Sequence, residues 1–209
     1  MKIVIFGSTG GTGRELVAQA LDQGHHVTAQ ARHPESLSEL EHPSLDVVRG
    51  DVLEATDVDR IVDGHEAVLC AIGAGAERSS LREDGTRNIV AAMENSGVSR
   101  LVCLSSLGVG DSRLNLPFFT TYVVVGIFLR HAFADHERQE RVVRQSSLSW
   151  TIARPPHLKD GPRTGEYQHG FPPTHRDIRG WISRADVADF MLRQLSEDSY
   201  LRQTPGISY

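Results

Sequence analysis

The sequence predicts a single doubly wound α/β domain, in which a mostly parallel sheet is covered by helices on both faces. Short apolar runs alternate along the 209 residues with longer segments of helical spacing, and this alternation is typical of parallel sheets. A run of glycines follows the first apolar run and opens the first helical segment. The composition, with 39% hydrophobic and 23% charged residues, is that of an ordinary globular protein.

Six strands are predicted from the apolar runs. They span residues 2–6, 26–31, 45–49, 67–72, 100–104 and 149–153. Two helix starts are predicted between and after these strands, because Ser80 with Glu83 and Ser183 with Asp186 have capping-box spacing. No low-complexity linker divides the chain, so we interpret residues 1–209 as one domain.

Charge and hydropathy argue against several classes of protein. The net charge is −5 and the Lys and Arg residues are scattered, so we expect no nucleic-acid partner. Cys70 and Cys103 fall in neighbouring predicted strands, which indicates buried reduced thiols rather than a disulfide. The first apolar run is too short for a secretory signal, and the stretch 116–129 falls short of the ~20 residues that span a bilayer. We expect a cytoplasmic monomer without membrane contact.

The glycine-rich loop after the first strand is the strongest functional signal. It reads Gly7-Ser8-Thr9-Gly10-Gly11-Thr12-Gly13. Glycines at this spacing allow a tight turn, close approach of the backbone to a pyrophosphate, and close packing of helix on strand. The following helix offers free N–H groups and the positive end of its dipole to phosphates. The loop predicts a bound dinucleotide; the alternative is a strand-to-helix turn without a ligand.

The end of the second strand indicates which dinucleotide is bound. An acidic residue there would accept a hydrogen bond from the 2′-hydroxyl of NAD, whereas a basic one would pair with the 2′-phosphate of NADP. Here Arg32 stands at the strand end and Arg14 follows the last glycine, so both guanidiniums are expected to converge on one phosphate. We therefore predict NADPH/NADP as the cofactor. Two solvated surface charges are the alternative.

Two further strand ends are expected against the cofactor. Asp51 and Val52 follow the third strand, where they would flank the adenine. Ala71, Ile72 and Gly73 end the fourth strand and would run beneath the adenine-side ribose and phosphates. Either group is also consistent with a plain strand terminus, since Asp and Gly commonly end strands.

The ends of the fifth and sixth strands are expected to frame the nicotinamide and the substrate. They carry Ser105 with Ser106 and Pro155 with His157; we expect Ser105 and Pro155 against the cofactor. Ser106 is a candidate hydrogen-bond partner of substrate or nicotinamide, or else a strand cap. His157 would orient a substrate or relay a proton, or else is an exposed loop histidine.

The substrate pocket is expected from the 106–133 and 154–182 segments. The Tyr and Lys pair of short-chain dehydrogenases is absent, since Tyr122 is followed four residues later by Gly126. Hydride transfer to an electron-poor conjugated centre fits this absence better than alcohol oxidation. We expect no metal.

The chain resembles the atypical short-chain dehydrogenase group that includes biliverdin reductase B, an NADPH-dependent flavin reductase. Five stretches that span nearly the whole chain carry the resemblance: residues 5–13, 50–53, 86–93, 135–136, and 155–157 together with 164–167. The resemblance implies hydride transfer from NADPH to flavins or linear tetrapyrroles. It also implies that Ser106 and His157 line the substrate side, that His136 lies nearby on the following helix, and that Arg32 binds the 2′-phosphate.

One region departs from that group. The 114–133 segment is unusually apolar, and it carries four aromatic residues before its end, namely Phe118, Phe119, Tyr122 and Phe128. We expect this segment to shape the pocket for a flat aromatic acceptor, with Arg113 or Arg130 available for a propionate or phosphate. The alternative is ordinary helix packing.

Our functional prediction is an NADPH-dependent reductase of a flavin, bilin or quinone-like small molecule. A second hypothesis is a non-catalytic NADP(H)-sensing regulator of the nitrogen metabolite repression regulator type. An epimerase is disfavoured by the missing Tyr and Lys pair and by the lack of a sizeable second domain. The fold alone does not separate these hypotheses.

Overall fold

A six-stranded parallel sheet forms the centre of the molecule in the computed structural model, which describes residues 1–74, 78–115, 129–172, 175 and 177–209. The strands are β1 (Lys2–Phe6), β2 (His26–Ala31), β3 (Leu45–Arg49), β4 (Ala67–Cys70), β5 (Arg100–Leu104) and β6 (Ser149–Ala153). Their order across the sheet is β3-β2-β1-β4-β5-β6. The predicted fold class is confirmed, as are five of the six predicted strand ranges.

The fourth strand is two residues shorter than predicted. Ala71 still donates a hydrogen bond from its N–H to the carbonyl of Phe6 at 2.9 Å, but β4 ends at Cys70. Beyond it, Ile72 and Gly73 leave the sheet and line a cavity. An apolar run therefore predicts too long a strand when its last residues line a cavity instead of pairing in the sheet.

In the described ranges, five α-helices cover the two faces of the sheet. They are α1 (Gly11–Asp22), α2 (Ala55–Val62), α3 (Leu81–Ser96), α4 (Arg130–Gln145) and α5 (Arg184–Arg193). On β1, Ile3 and Ile5 pack in the core with α1 and α5, whereas Val4 and Phe6 pack in the core with α2, α3 and α4. Both faces of the sheet are buried, which explains why the strands read as continuous apolar runs. Among the described helices, none is long and apolar enough to cross a membrane.

Successive strands are added on one side of β1 up to β3, and from β4 onward they are added on its other side. From β1 the sheet grows outward to β2 and β3 on one side, and to β4, β5 and β6 on the other. The connections on the two sides of such a switch point diverge and leave a crevice at the carboxyl ends of the strands, where ligands bind. The fold therefore places a site at the ends of β1 and β4.

Two short strand pairs form a smaller layer after β6. β7 (His157–Lys159) pairs in parallel with β9 (Trp181–Ser183). β8 (Gln168–His169) pairs antiparallel with β10 (Ile207–Ser208). These pairs fix the loop that follows the sixth strand.

One of the two predicted capping boxes was wrong. Ser183 caps α5 as predicted, since its hydroxyl accepts a hydrogen bond from the Asp186 N–H at 3.0 Å. Ser80 makes no side-chain cap on α3. Instead the carboxylate of Asp135, on α4, accepts hydrogen bonds from the N–H groups of Arg82 at 3.2 Å and Glu83 at 3.3 Å. A carboxylate from a neighbouring helix has replaced the local cap.

The two cysteines lie side by side on adjacent strands. Cys70 and Cys103 are register partners in the β4–β5 pair, and both are free and fully buried. Interaction with the neighbouring Cys70 side chain, and then burial, raise the pKa of the Cys103 thiol. The predicted burial of both thiols is confirmed.

Candidate cofactor and substrate site

One cavity of about 800 Å³ runs along the carboxyl ends of β1 to β6. Most of the predicted site residues line it, and they come from the glycine loop, from the ends of the other strands and from α4. They are Gly7, Thr9, Gly10, Gly11, Thr12, Arg32, Asp51, Val52, Ala71, Ile72, Gly73, Ser105, Ser106, His136, Pro155 and His157. Three predicted residues do not line it, namely Ser8, Gly13 and Arg14.

Three glycines of the loop meet different surroundings. Gly7 has φ +80° and no room for a side chain, because a Cβ there would overlap the Ala71 carbonyl. At Gly13 a Cβ would overlap the carbonyl of Gly7. At Gly10 the nearest atom would be the Gly7 carbonyl oxygen at 3.4 Å, an ordinary contact distance. The protein itself excludes side chains at the first and third positions, whereas the second is open toward the cavity.

The N-terminus of α1 faces the same end of the cavity. Gly10 is its N-cap, and no side chain caps the helix there. The first turn also carries no acidic residue. Free N–H groups and the positive end of the helix dipole are therefore available to an anion.

Ser8 holds the loop to the sheet instead of facing the cavity. Its buried hydroxyl donates to the carbonyl of Gln30 at 2.5 Å. The side chain of Gln30 in turn donates to the carbonyl of Gly50. The hydroxyl of Ser8 is thus committed to the backbone of β2.

The predicted convergence of two arginines on one phosphate is corrected by the structure. Arg32 lines the cavity. The guanidinium of Arg14 instead pairs with Glu39 and donates to the carbonyl of Ser36. These partners come from the segment after β2, and they hold Arg14 away from the cavity.

The side chain of Asp51 is engaged by its own turn. Its Oδ1 accepts a hydrogen bond from the Leu53 N–H at 3.0 Å, and its N–H donates to Asp57 Oδ2 at 2.9 Å. Asp51 and Val52 nevertheless both line the cavity.

The two serines after β5 have different partners. Ser105 Oγ donates to Glu140 Oε1 at 2.7 Å in a buried setting. Ser106 Oγ has a longer contact, 3.3 Å, to the carbonyl of the adjacent Leu107. Ser106 is the one whose hydroxyl is more readily turned toward a ligand.

A buried ion-pair network lies beneath these serines. The side chain of Arg154 is 1% exposed; it donates to both oxygens of Glu140, at 2.9 and 2.7 Å, and to Asp111 Oδ1 at 2.6 Å. The Glu140 carboxylate also accepts hydrogen bonds from Ser105 and Arg144. The network joins the end of β6 to α4 and to the 3-10 helix Gly110–Asn115, so it fixes the cavity floor.

The two candidate histidines differ in their surroundings. His157 is exposed at the cavity mouth, and its backbone N–H donates to the carbonyl of Gly180 at 3.3 Å. His136 lies in the cavity wall, where its Nδ1 is 3.2 Å from Gln139 Oε1. Desolvation first, and then the charge of Arg82, lower the pKa of His136 to about 3. His136 is therefore a neutral side chain at physiological pH.

Two buried carboxylates on α5 hold the 164–167 loop, which follows β7. Asp186 Oδ1 accepts hydrogen bonds from the N–H groups of Thr164 at 2.7 Å and Gly165 at 2.9 Å. Asp189 Oδ2 accepts the Tyr167 hydroxyl at 2.6 Å. The 164–167 loop is therefore tied to α5 by these hydrogen bonds, an arrangement that we call the α5 latch.

Several lining residues were not predicted from the sequence. Arg82 lies in the first turn of α3 and Arg184 begins α5; both line the cavity. Phe133, the last residue of the predicted 106–133 segment, also lines it. The only local signal was the Ser183 cap, which places Arg184 in a first helical turn. Neither Arg113, which pairs with Glu137 at 2.5 Å, nor Arg130 lines the cavity.

Some predictions fall on residues beyond the described ranges. These are the aromatic residues Phe118, Phe119, Tyr122 and Phe128, together with Gly126. Within the described ranges, the cavity lining contains neither Tyr nor Lys. Those ranges also hold no cluster of three or more His, Cys, Asp or Glu side chains placed to bind a metal ion.

The switch-point cavity, the glycine loop and the uncapped helix define a dinucleotide-binding α/β protein. A family model described as NAD(P)H-binding matches residues 7–198. The chain belongs to this family, whose Rossmann fold is shared with atypical short-chain dehydrogenases and epimerase-like proteins. The predicted nicotinamide dinucleotide cofactor is confirmed at this level.

Individual proteins are similar to this chain in sequence or in structure. The uncharacterized chloroplastic protein At2g34460 of Arabidopsis thaliana is 32% identical over 206 residues, which cover 94% of this chain and 72% of the relative. A short-chain dehydrogenase/reductase from Veillonella parvula, solved in complex with NADP, has a TM-score of 0.82 at 20% identity and covers 100% of this chain and 94% of its own. The anaerobillin reductase ChuY from Escherichia coli O157:H7 has a TM-score of 0.80 at 24% identity, with 100% and 97% covered.

Proposed function

We propose that this protein is an NADPH-dependent reductase that passes hydride to a flavin or a linear tetrapyrrole. The observation that carries the proposal is the continuity of the cavity. One space connects the open glycine of the loop and Arg32 with a second end walled by apolar side chains and by the neutral His136. Cofactor and acceptor would thus share a largely dry compartment, in which alignment contributes most of the rate.

The cofactor would lie along the sheet edge in a defined order. Its pyrophosphate would approach Gly10 and the N-terminus of α1, which offer N–H groups and an open Cβ position. The 2′-phosphate would pair with Arg32 at the end of β2. Asp51 with Val52 would flank the adenine, and the chain from Ala71 onward would pass beneath the ribose.

The far end of the cavity suits an acceptor that needs little acid catalysis. Its described walls include Leu104, Leu129 and Phe133, which are suited to a flat conjugated ring. NADPH supplies the hydride when it is bound. Because His136 is already neutral, it is a poor proton donor, so we propose that the proton comes from solvent at the mouth near His157. Ser106 would orient the acceptor by a hydrogen bond.

Two lines of similarity support this choice of acceptor. The sequence stretches that resemble the biliverdin reductase B group include the loop, the 155–157 segment and His136. ChuY, which has the same fold, is named as an anaerobillin reductase.

The decisive experiment is NADPH oxidation by the purified protein with FMN, FAD, riboflavin and biliverdin offered in turn. The loss of reduced-nicotinamide absorbance is followed against a control without acceptor, and NADPH binding is measured separately by fluorescence titration. Acceptor-dependent oxidation is the expected result. Tight NADPH binding without turnover of any of the four would overturn the proposal and favour the NADP(H)-sensing regulator.

A further inference from the structure

Arg184 reaches across the molecule to the glycine loop. It begins α5, yet its side chain packs directly on Gly11, the residue that begins α1. A Cβ at Gly11 would lie 2.6 Å from Arg184 Cδ and 2.7 Å from Arg184 Nε. A side chain at this position would displace the end of the Arg184 side chain, which lies about 170 positions further along the chain; the turn itself places no backbone atom against it.

The guanidinium of Arg184 is only partly engaged. Among the described residues its one hydrogen-bond partner is Asp160, whose Oδ1 accepts from the NH1 group at 2.7 Å. Asp160 is 92% exposed and Arg184 is 29% exposed, so this is a surface ion pair of small energetic weight. The Nε and NH2 donors stay available beside the cavity that Arg184 lines.

The surroundings of this guanidinium favour an anion. The first turn of α1 holds no acidic residue, and no side chain caps its N–H groups. Asp51 is the single carboxylate in the described lining of the cavity, and it follows β3, which is two positions away from β1 in the sheet. A cation and an uncapped helix N-terminus thus face the same space, and the one carboxylate in its described lining comes from another strand.

We propose that Arg184 is a second binding residue for the pyrophosphate of the dinucleotide, opposite the N-terminus of α1. The pyrophosphate is then held from one side by backbone N–H groups and from the other by the guanidinium, which Asp160 keeps oriented through NH1. The proposal rests on the cofactor placement proposed above, and it is independent of which acceptor is reduced.

The test compares ligands that contain different parts of the cofactor. NADPH, NADH and ADP-ribose all carry the pyrophosphate, whereas adenosine 2′-monophosphate carries only the adenosine and the 2′-phosphate. Affinities are measured by calorimetry for the wild type, Arg184→Gln, Arg184→Lys and Arg87→Gln. Arg87 is the matched control, since it forms an exposed ion pair with Glu83 on α3 and does not line the cavity.

We expect Arg184→Gln to weaken the three pyrophosphate ligands by about ten- to a hundredfold, the range for one charge-assisted hydrogen bond. Its affinity for adenosine 2′-monophosphate should stay within about twofold of wild type. Arg184→Lys should recover part of the loss because it restores the charge, and Arg87→Gln should bind all four ligands normally. The thermal unfolding midpoint of each variant shows whether it is folded.

Two outcomes would overturn the proposal. One is wild-type affinity of Arg184→Gln for ADP-ribose, and the other is an equal loss for adenosine 2′-monophosphate, which would indicate a general structural defect. If Arg184→Gln does not fold, the folded Arg184→Lys variant decides. A weaker affinity for ADP-ribose with unchanged affinity for adenosine 2′-monophosphate supports the proposal, and wild-type affinity for ADP-ribose overturns it. This binding test does not depend on turnover, so it can be carried out even if the protein reduces none of the four acceptors.

Discussion

Alanine substitutions at Gly10 and Gly13 should separate cofactor binding from folding, although both glycines belong to the same loop. At position 13 the new Cβ would overlap the carbonyl of Gly7. Both groups are backbone-borne, so no side chain can rotate away to relieve the overlap. Overpacking of this kind costs about 1–3 kcal/mol or more. We expect Gly13→Ala to lower the free energy of unfolding by at least this amount.

At position 10 the same substitution should be nearly silent for folding. The backbone there has φ −75° and ψ 163°, which alanine adopts without strain. The nearest atom would be 3.4 Å from the Cβ. Reduced freedom of the unfolded chain gains about 0.4–1 kcal/mol, and the loss of glycine at an N-cap offsets a similar amount. The free energy of unfolding should therefore change by less than about 1 kcal/mol.

Cofactor affinity should follow the opposite order. The Cβ of Gly10→Ala would occupy the space through which the pyrophosphate approaches the loop, so we expect NADPH affinity to fall by more than roughly tenfold. Urea unfolding measures the stabilities, and fluorescence titration measures NADPH binding. Wild-type NADPH affinity of Gly10→Ala would refute the placement of the pyrophosphate. Equal stabilities of the two variants would refute the packing argument.

Three further predictions concern the cofactor and the histidines. Arg32→Ala should weaken NADPH by roughly ten- to a hundredfold while NADH binds as before, and equal losses for both would contradict a 2′-phosphate contact. His157→Ala should keep measurable flavin reduction, because hydride transfer depends on alignment more than on this side chain; complete loss of turnover with intact NADPH binding would contradict it. The pKa of His136 is about 3 in the folded protein, below its ordinary value of 6.5, so below pH 6.5 the unfolded chain binds the extra proton and stability falls as the pH falls. His136→Gln should show a shallower loss of stability between about pH 7 and pH 5 in urea unfolding, and identical slopes would refute this.

The sheet was predictable because its strands are buried on both faces. A run such as Ile3 to Phe6 has core on either side, so hydropathy alone marks it. The glycine loop was predictable for a similar reason, since the requirements at Gly7 and Gly13 are met by atoms of the loop itself or of the strand beside it.

The rest of the site depends on residues distant in sequence. Arg14 is held away from the cavity by Glu39, and α3 is capped by Asp135 rather than by Ser80. Arg184 meets Gly11 only after the last helix has packed beside the first. The spacing of neighbouring residues in the sequence does not predict such pairings, because each pairing depends on how the helices pack.

The α5 latch has a consequence for how this scaffold diversifies. Because Asp186 and Asp189 bind the 164–167 loop through backbone N–H groups and a tyrosine hydroxyl, a mutation that reshapes this loop leaves a buried carboxylate with fewer hydrogen bonds and is disfavoured by selection for stability. The α4 wall of the cavity, which includes Leu129 and Phe133, carries apolar side chains that tolerate exchange of size. Drift in acceptor preference among descendants of this protein is therefore expected to accumulate on the α4 side of the cavity.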